Sequence, residues 1–113
     1  MSIKQRGVAA SRAYLERIGQ EVLEPGRTPI PNGVDILSTD GDSLVATLVR
    51  VRQRPAEDAP VSGRTLDAAL RNIIDRRDSN APQYDAVRVD VISILVLSED
   101  RALLRHYHGE RSG

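Results

Sequence analysis

Apolar residues recur at every second position through Ser43–Arg54 and again through Tyr84–Leu97, a pattern that a strand can bury and a helix cannot. In the first stretch Val45, Thr47, Val49 and Val51 share one face, and Leu44, Ala46, Leu48, Arg50, Arg52 and Arg54 share the other. That second face changes from apolar to cationic halfway along. In the later stretch Val87, Val89 and Val91 alternate with Arg88, Asp90, Ile92 and Ile94. Each stretch has a hairpin partner. Gly33–Ser38 leads into the first through Thr39-Asp40-Gly41-Asp42, where Asp-Gly supplies the positive φ of a tight turn, and Ala102–Tyr107 follows the second through Ser98–Arg101.

Helical spacing fills the segments before and between the hairpins. From Val8 to Leu23, residues Ala10, Tyr14, Ile18 and Val22 recur every four positions, joined by Ala13 and Leu15, and Pro25-Gly26 is expected to end that helix. Leu66, Ala69, Leu70, Ile73 and Ile74 predict a second helix, capped by Thr65 or Ser62 and closed by Asp75–Asp78, Asn80 and Pro82. Arg27–Asn32 contains two prolines and reads as an edge segment or loop, and Pro55–Gly63 as a polar loop. The order helix, hairpin, helix, hairpin predicts an α/β (α+β) fold, a mixed β-sheet with two flanking helices. The 113 residues hold one core, placed at residues 8–108, with tails at 1–7 and 109–113.

Composition narrows the function classes. Sixteen basic and sixteen acidic residues cancel, so no global field draws the chain to nucleic acid or an anionic membrane, and any electrostatic site is local. Fifteen of the basic residues are arginine and Lys4 is the only lysine, a bias expected of a GC-rich, bacterial genome. Without cysteine there is no disulfide, thiolate metal site or thiol nucleophile. The aromatics are Tyr14, Tyr84 and Tyr107 alone, too few for a base-stacking platform. No apolar run reaches a membrane span and Met1–Gly7 is too polar to open a secretory signal, so a cytoplasmic protein without a membrane partner is expected.

Read in order, several short motifs resemble the YraN-like family of predicted endonucleases, which share the restriction-endonuclease fold. They are Gly7-Val8, Ala10 with Ser11-Arg12-Ala13-Tyr14-Leu15, Gly33-Val34-Asp35-Ile36-Leu37, Val49-Arg50-Val51-Arg52-Gln53-Arg54, and Arg88-Val89-Asp90-Val91. Together they span Gly7 to His108. The resemblance implies a restriction-endonuclease-like sheet in which the hairpin presents an Asp, then a Glu and a Lys two residues apart. The carboxylates would hold Mg²⁺ or Mn²⁺ and the lysine would help activate water.

This chain departs from that pattern where the chemistry lies. Asp35 stands at the Asp position, a remnant, but Arg50 stands at the Glu position and Arg52 at the Lys position; the Glu before Asp35 and the Glu after the first glycine are also gone. Codon bias accounts for lysine becoming arginine but not for glutamate becoming arginine. A guanidinium standing in the place of a ligand supplies no lone pair to a divalent cation and repels it, and it stays protonated at any ordinary pH, so it is a poor base. Sliding the hairpin by two residues places Leu48 and Arg50 there instead, with the same outcome. No catalytic residue, no metal ligand set and no cofactor is therefore expected; Mg²⁺ or Mn²⁺ enters only in a reading of the chain as an active nuclease through an unrecognised site.

The remaining candidates have two readings each. The row Arg50, Arg52, Arg54, joined by Arg64 and Arg71, reads as a clamp for the phosphates of DNA or RNA, or as a strand end neutralised by Asp35, Asp90 or Asp67. Asp35 and Asp90 read as metal-site remnants or as ion-pair partners of arginine. His106 and His108 share a face by strand spacing, and read as an incomplete metal site or, more simply, as a solvated sheet edge. The serines, Ser11, Ser38 and Ser62 among them, lack the context of a hydrolase nucleophile. The leading expectation is a catalytically inactive, nuclease-like domain that binds, with nucleic acid at Arg50, Arg52, Arg54 and Arg64. The alternative is a protein-interaction or assembly module, with a homodimer as its simplest form.

Overall fold

The computed structural model describes residues 2–24, 30, 33–53 and 86–110. The expected helix over 66–74, the loop 55–63 and the residues Arg54, Arg64, Asp67 and Arg71 lie outside them.

Helix α1, Ile3–Arg17, is set by its two ends. Ser2 accepts from the Gln5 amide at 3.1 Å and the Gln5 side chain accepts from the Ser2 amide at 2.8 Å, so a Ser-x-x-Gln capping box starts the helix five residues before the expected Val8. At the other end the Gly19 N–H donates to Glu16 O and the Gln20 N–H to Leu15 O, with Gly19 at φ 97°, the Schellman arrangement that stops a helix. The helix thus ends before Leu23, and Gly19 rather than Pro25-Gly26 ends it. The four-residue spacing from Ile18 to Val22 is not a helical turn: Glu21–Val22 form a short strand, β1, paired with Thr39 and Ser38.

Among the described residues five strands make one mixed sheet in the order β1-β2-β3-β4-β5, where β2 is Ile36–Asp40, β3 Ser43–Arg52, β4 Ala86–Ser98 and β5 Arg101–Tyr107. β2 and β3 pair antiparallel from Ile36↔Thr47 to Asp40↔Ser43, closed by the two-residue loop Gly41-Asp42 with Gly41 at φ 59°. β4 and β5 form the second hairpin, with a register shift between Val96 and Ser98. β3 and β4 run parallel from Ser43↔Ala86 to Arg52↔Leu95, so a crossover rather than a turn joins the two hairpins. The two hairpins and both alternating faces of β3 agree with the sequence reading.

Side chains from both faces are buried, as a central strand requires. On the α1 side Leu15, Ile36, Val49, Ile92 and Ile94 pack together; on the other side Val34, Leu37, Leu44, Ala46, Leu48 and Val87 do so. Each such aliphatic side chain contributes about 1.5–3 kcal/mol when fully buried. Gly7 sets how closely α1 approaches: a Cβ there would overlap Val51 Cγ2, so at this point the helix backbone packs directly on the Val51 side chain. Among the described residues no helix is long and apolar enough to cross a membrane.

Candidate functional site

The first cluster forms where β2 begins. The Asp35 amide extends the β2–β3 ladder by donating to Thr47 O, and this holds the Asp35 carboxylate against β3, where Oδ2 accepts from the Val49 amide at 2.7 Å. The hairpin thus holds the Asp35 carboxylate at Val49, the residue before Arg50 in the chain. Lys4, from the first turn of α1, fills the position a cation would take. Its Nζ lies 3.1 Å from Asp35 Oδ2 and also donates to the carbonyl of Val49. A carboxylate and a backbone carbonyl are the donors a hard divalent ion uses. Here they hold a tethered ammonium in the place of an ion. These residues do not fit a Mg²⁺ or Mn²⁺ site.

The first turn of α1 carries no acidic residue, although the helix dipole favours one there. It carries Lys4 and Arg6 instead. Lys4 is explained by Asp35, while Arg6 lines a groove of about 550 Å³ at the C-terminal ends of the parallel pair β3 and β4. Gly7, Val51, Ile94 and Val96 also line it, together with Gln53 and Arg101. Openings at the carboxyl ends of parallel strands are where α/β sheets bind ligands. Arg50 and Arg52 are half-buried on β3, on the face away from α1. The groove on the α1 face is of mixed charge, since Glu99 and Asp100 line it beside Arg6 and Arg101, whereas the opposite face of β3 carries Arg50 and Arg52.

A second cluster lies under the C-terminal half of α1. β4 directs Arg88, Asp90 and Ile92 to the α1 side, and Asp90 is fully buried. Arg88 grips it with a two-pronged bond, Nε to Oδ1 at 2.8 Å and Nη2 to Oδ2 at 3.1 Å, and its Nη1 reaches Asp40 at 3.2 Å. The Gly109 amide donates to Oδ1 at 2.9 Å, and His106 Nε2 lies 2.8 Å from Oδ2. Tyr14 of α1 meets the other ring nitrogen, Nδ1 of His106, at 3.0 Å. In the neutral imidazole this network assigns the proton to Nε2, donated to Asp90, with Nδ1 accepting from the Tyr14 hydroxyl. His108 Nδ1 is 3.7 Å from the same Oδ2, beyond hydrogen-bond length. Burial works against the Arg88 charge, but the hydrogen bonds and charges of Asp90, then of Asp40, outweigh it and hold the guanidinium above its ordinary value.

Two expectations are corrected here. Among the described residues Asp90 is the partner of Arg88, two positions away on its own strand, and not of Arg50 or Arg52 across the sheet. Nor do the two histidines form a solvated edge: only His108 is exposed, at 58% of its side chain, while His106 is 4% exposed. They do share a face, as the spacing predicts, with ring centroids 3.9 Å apart. The third polar group near them is Asp90, contributed by the neighbouring strand.

Sequence reasoning did not identify Lys4, Tyr14 or the Asp90–His106 bond as parts of a site. For Lys4 a signal existed, a single lysine in an arginine-rich chain. For Asp90 the signal was an Arg-x-Asp pair on the face that Ile92 and Ile94 bury. Its partner histidine is sixteen residues away. No family model matches the chain, and no curated protein matches it closely enough to count as a relative.

Proposed function

We propose that this chain is a restriction-endonuclease-like domain that has given up cleavage and acts by binding an anionic polymer, with nucleic acid the first ligand to test. The observation that carries the reading is Lys4, whose ammonium joins Asp35 Oδ2 to the Val49 carbonyl beside Arg50. The β2–β3 hairpin supports it further, since it sets Asp35 against the very segment that carries the altered Glu-x-Lys positions. Affinity then comes from guanidinium contacts to phosphate at the C-terminal end of β3, from Arg50 and Arg52, with Arg54 and Arg64 from the following segment as further contacts.

The test is a gel-shift series with duplex DNA, single-stranded DNA and RNA, run with and without Mg²⁺ or Mn²⁺. The expected result is salt-dependent binding that Arg50→Ala with Arg52→Ala weakens at least tenfold and Asp35→Asn leaves intact, with no cleavage. Absence of binding, or metal-dependent cleavage abolished by Asp35→Asn, overturns it.

One observation favours assembly as a second reading. Leu103 and Tyr107 are exposed on the outermost strand of the described sheet, and Leu97 is exposed at the end of β4. Light scattering separates the two: a stable dimer that Leu103→Lys dissociates, in a protein that does not shift nucleic acid, selects assembly.

A further inference from the structure

We infer that Asp90, His106 and His108 form a site for a divalent transition-metal ion of the zinc type, separate from the Asp35 position. One ligand atom from each lies within 4.8 Å of the others. Imidazole with carboxylate is the donor set that zinc, cobalt and nickel prefer over magnesium or calcium.

The position of His108 carries the argument. At 3.7 Å from Asp90 Oδ2 it makes no hydrogen bond, yet its ring lies against His106 and its Nδ1 is directed to the oxygen that His106 already meets. Two imidazole nitrogens thus converge on one carboxylate oxygen, the arrangement that a shared cation uses once it replaces the His106 hydrogen bond. Metal bonds of about 2.0–2.2 Å in tetrahedral geometry place ligand atoms about 3.4 Å apart. The separations from Oδ2 of 2.8 Å and 3.7 Å bracket that value and all three ligand atoms lie within 4.8 Å of one another, so the ion is seated when the His106 ring withdraws from Oδ2 and the exposed His108 ring turns inward.

The surroundings fit the same role. A metal ligand works best when its other atoms are held by hydrogen bonds. Asp90 Oδ1 is held by Arg88 Nε and the Gly109 amide, and His106 Nδ1 by Tyr14. Arg88 also takes one lone pair of Oδ2 through Nη2. The second lone pair, now occupied by the His106 N–H, is the one the ion takes. His106 then binds through Nε2, its proton is carried on Nδ1, and Nδ1–H donates to the Tyr14 oxygen. The neutral ring changes tautomer and releases no net proton. His108, mostly exposed, provides the entry path and leaves at least one position open to water.

The experiment titrates the full chain, free of any histidine tag, with Co²⁺ and follows its visible absorption, then displaces Co²⁺ with Zn²⁺. The expected result is one equivalent per chain, with affinity at least tenfold weaker in His108→Ala and about tenfold weaker in Tyr14→Phe, which keeps every ligand but loosens one. His108 is on the surface, so circular dichroism of His108→Ala should match the parent and separate metal loss from misfolding. No saturable absorption, binding unchanged in His108→Ala, or binding lost only in Asp35→Asn overturns the site. None of these outcomes bears on whether Arg50 and Arg52 bind phosphate.

Discussion

Asp90 accepts hydrogen bonds from three residues while wholly removed from water, so its charge is held only by what surrounds it. Removing one member of a buried pair costs more than removing both, because the survivor is left charged and dry. Asp90→Asn should therefore destabilise the chain by about 3–5 kcal/mol, a large share of the ~5–15 kcal/mol that a domain has in total. The double variant Arg88→Met with Asp90→Leu should lose less than Asp90→Asn alone, as read from urea unfolding midpoints. The arginine side of the pair should not make this cost depend on pH. The Arg88 pKa is raised on folding, so its contribution is complete below the ordinary arginine value and is lost only as pH climbs through the still higher folded value. Asp90 as a partner of arginine was legible in the sequence, but which arginine was not. An arginine two positions away on the same strand and an arginine row on the neighbouring strand are equally compatible with period two, and only the register Thr47↔Asp90 separates them.

Elements were legible where one period ran through them and misread where two overlapped. The alternation through β3 and β4 fixed their faces because a strand that slips by one residue moves every side chain to the wrong side. The end of α1 was misread because Ile18 and Val22 kept the helical spacing past the true stop. Gly19 decides that stop through a backbone conformation that leaves no mark on apolar periodicity. Its contribution can be measured. Gly19→Ala should cost about 1–2 kcal/mol, the penalty for a Cβ at positive φ, although nothing lies within 4 Å of where that Cβ would sit. Gly7→Ala should destabilise for the opposite reason, steric overlap with Val51 at an ordinary φ, by about 1–3 kcal/mol. Adding Val51→Ala should recover part of the second loss and none of the first. Thermal unfolding of the four variants separates backbone strain from overpacking within one helix.

At the scale of the molecule, a net charge of zero is consistent with a charged binding surface because the charges are not evenly spread. Along β3 and its hairpin they run from Asp40 and Asp42 at one end to Arg50 and Arg52 at the other, while on the α1 face of that end Lys4 is matched by Asp35, and Arg6 shares its groove with Glu99 and Asp100. Composition can report only the sum; the spread depends on strand direction and on which end of the helix meets which end of the sheet. A comparison at constant net charge isolates it. Arg50→Glu with Arg52→Glu and Arg17→Glu with Arg105→Glu each shift the total by the same amount, but the second pair changes α1 and β5 instead of β3. If nucleic acid is held at the end of β3, only the first pair should abolish retention on a heparin column at neutral pH. For duplex DNA each phosphate contact contributes roughly −0.9 to the slope of log K against log salt, so Arg50→Ala with Arg52→Ala should flatten that slope by roughly 1.8. A slope unchanged by that pair, or equal losses from both glutamate pairs, would mean that the protein responds to ionic strength as a whole and has no phosphate-binding strand.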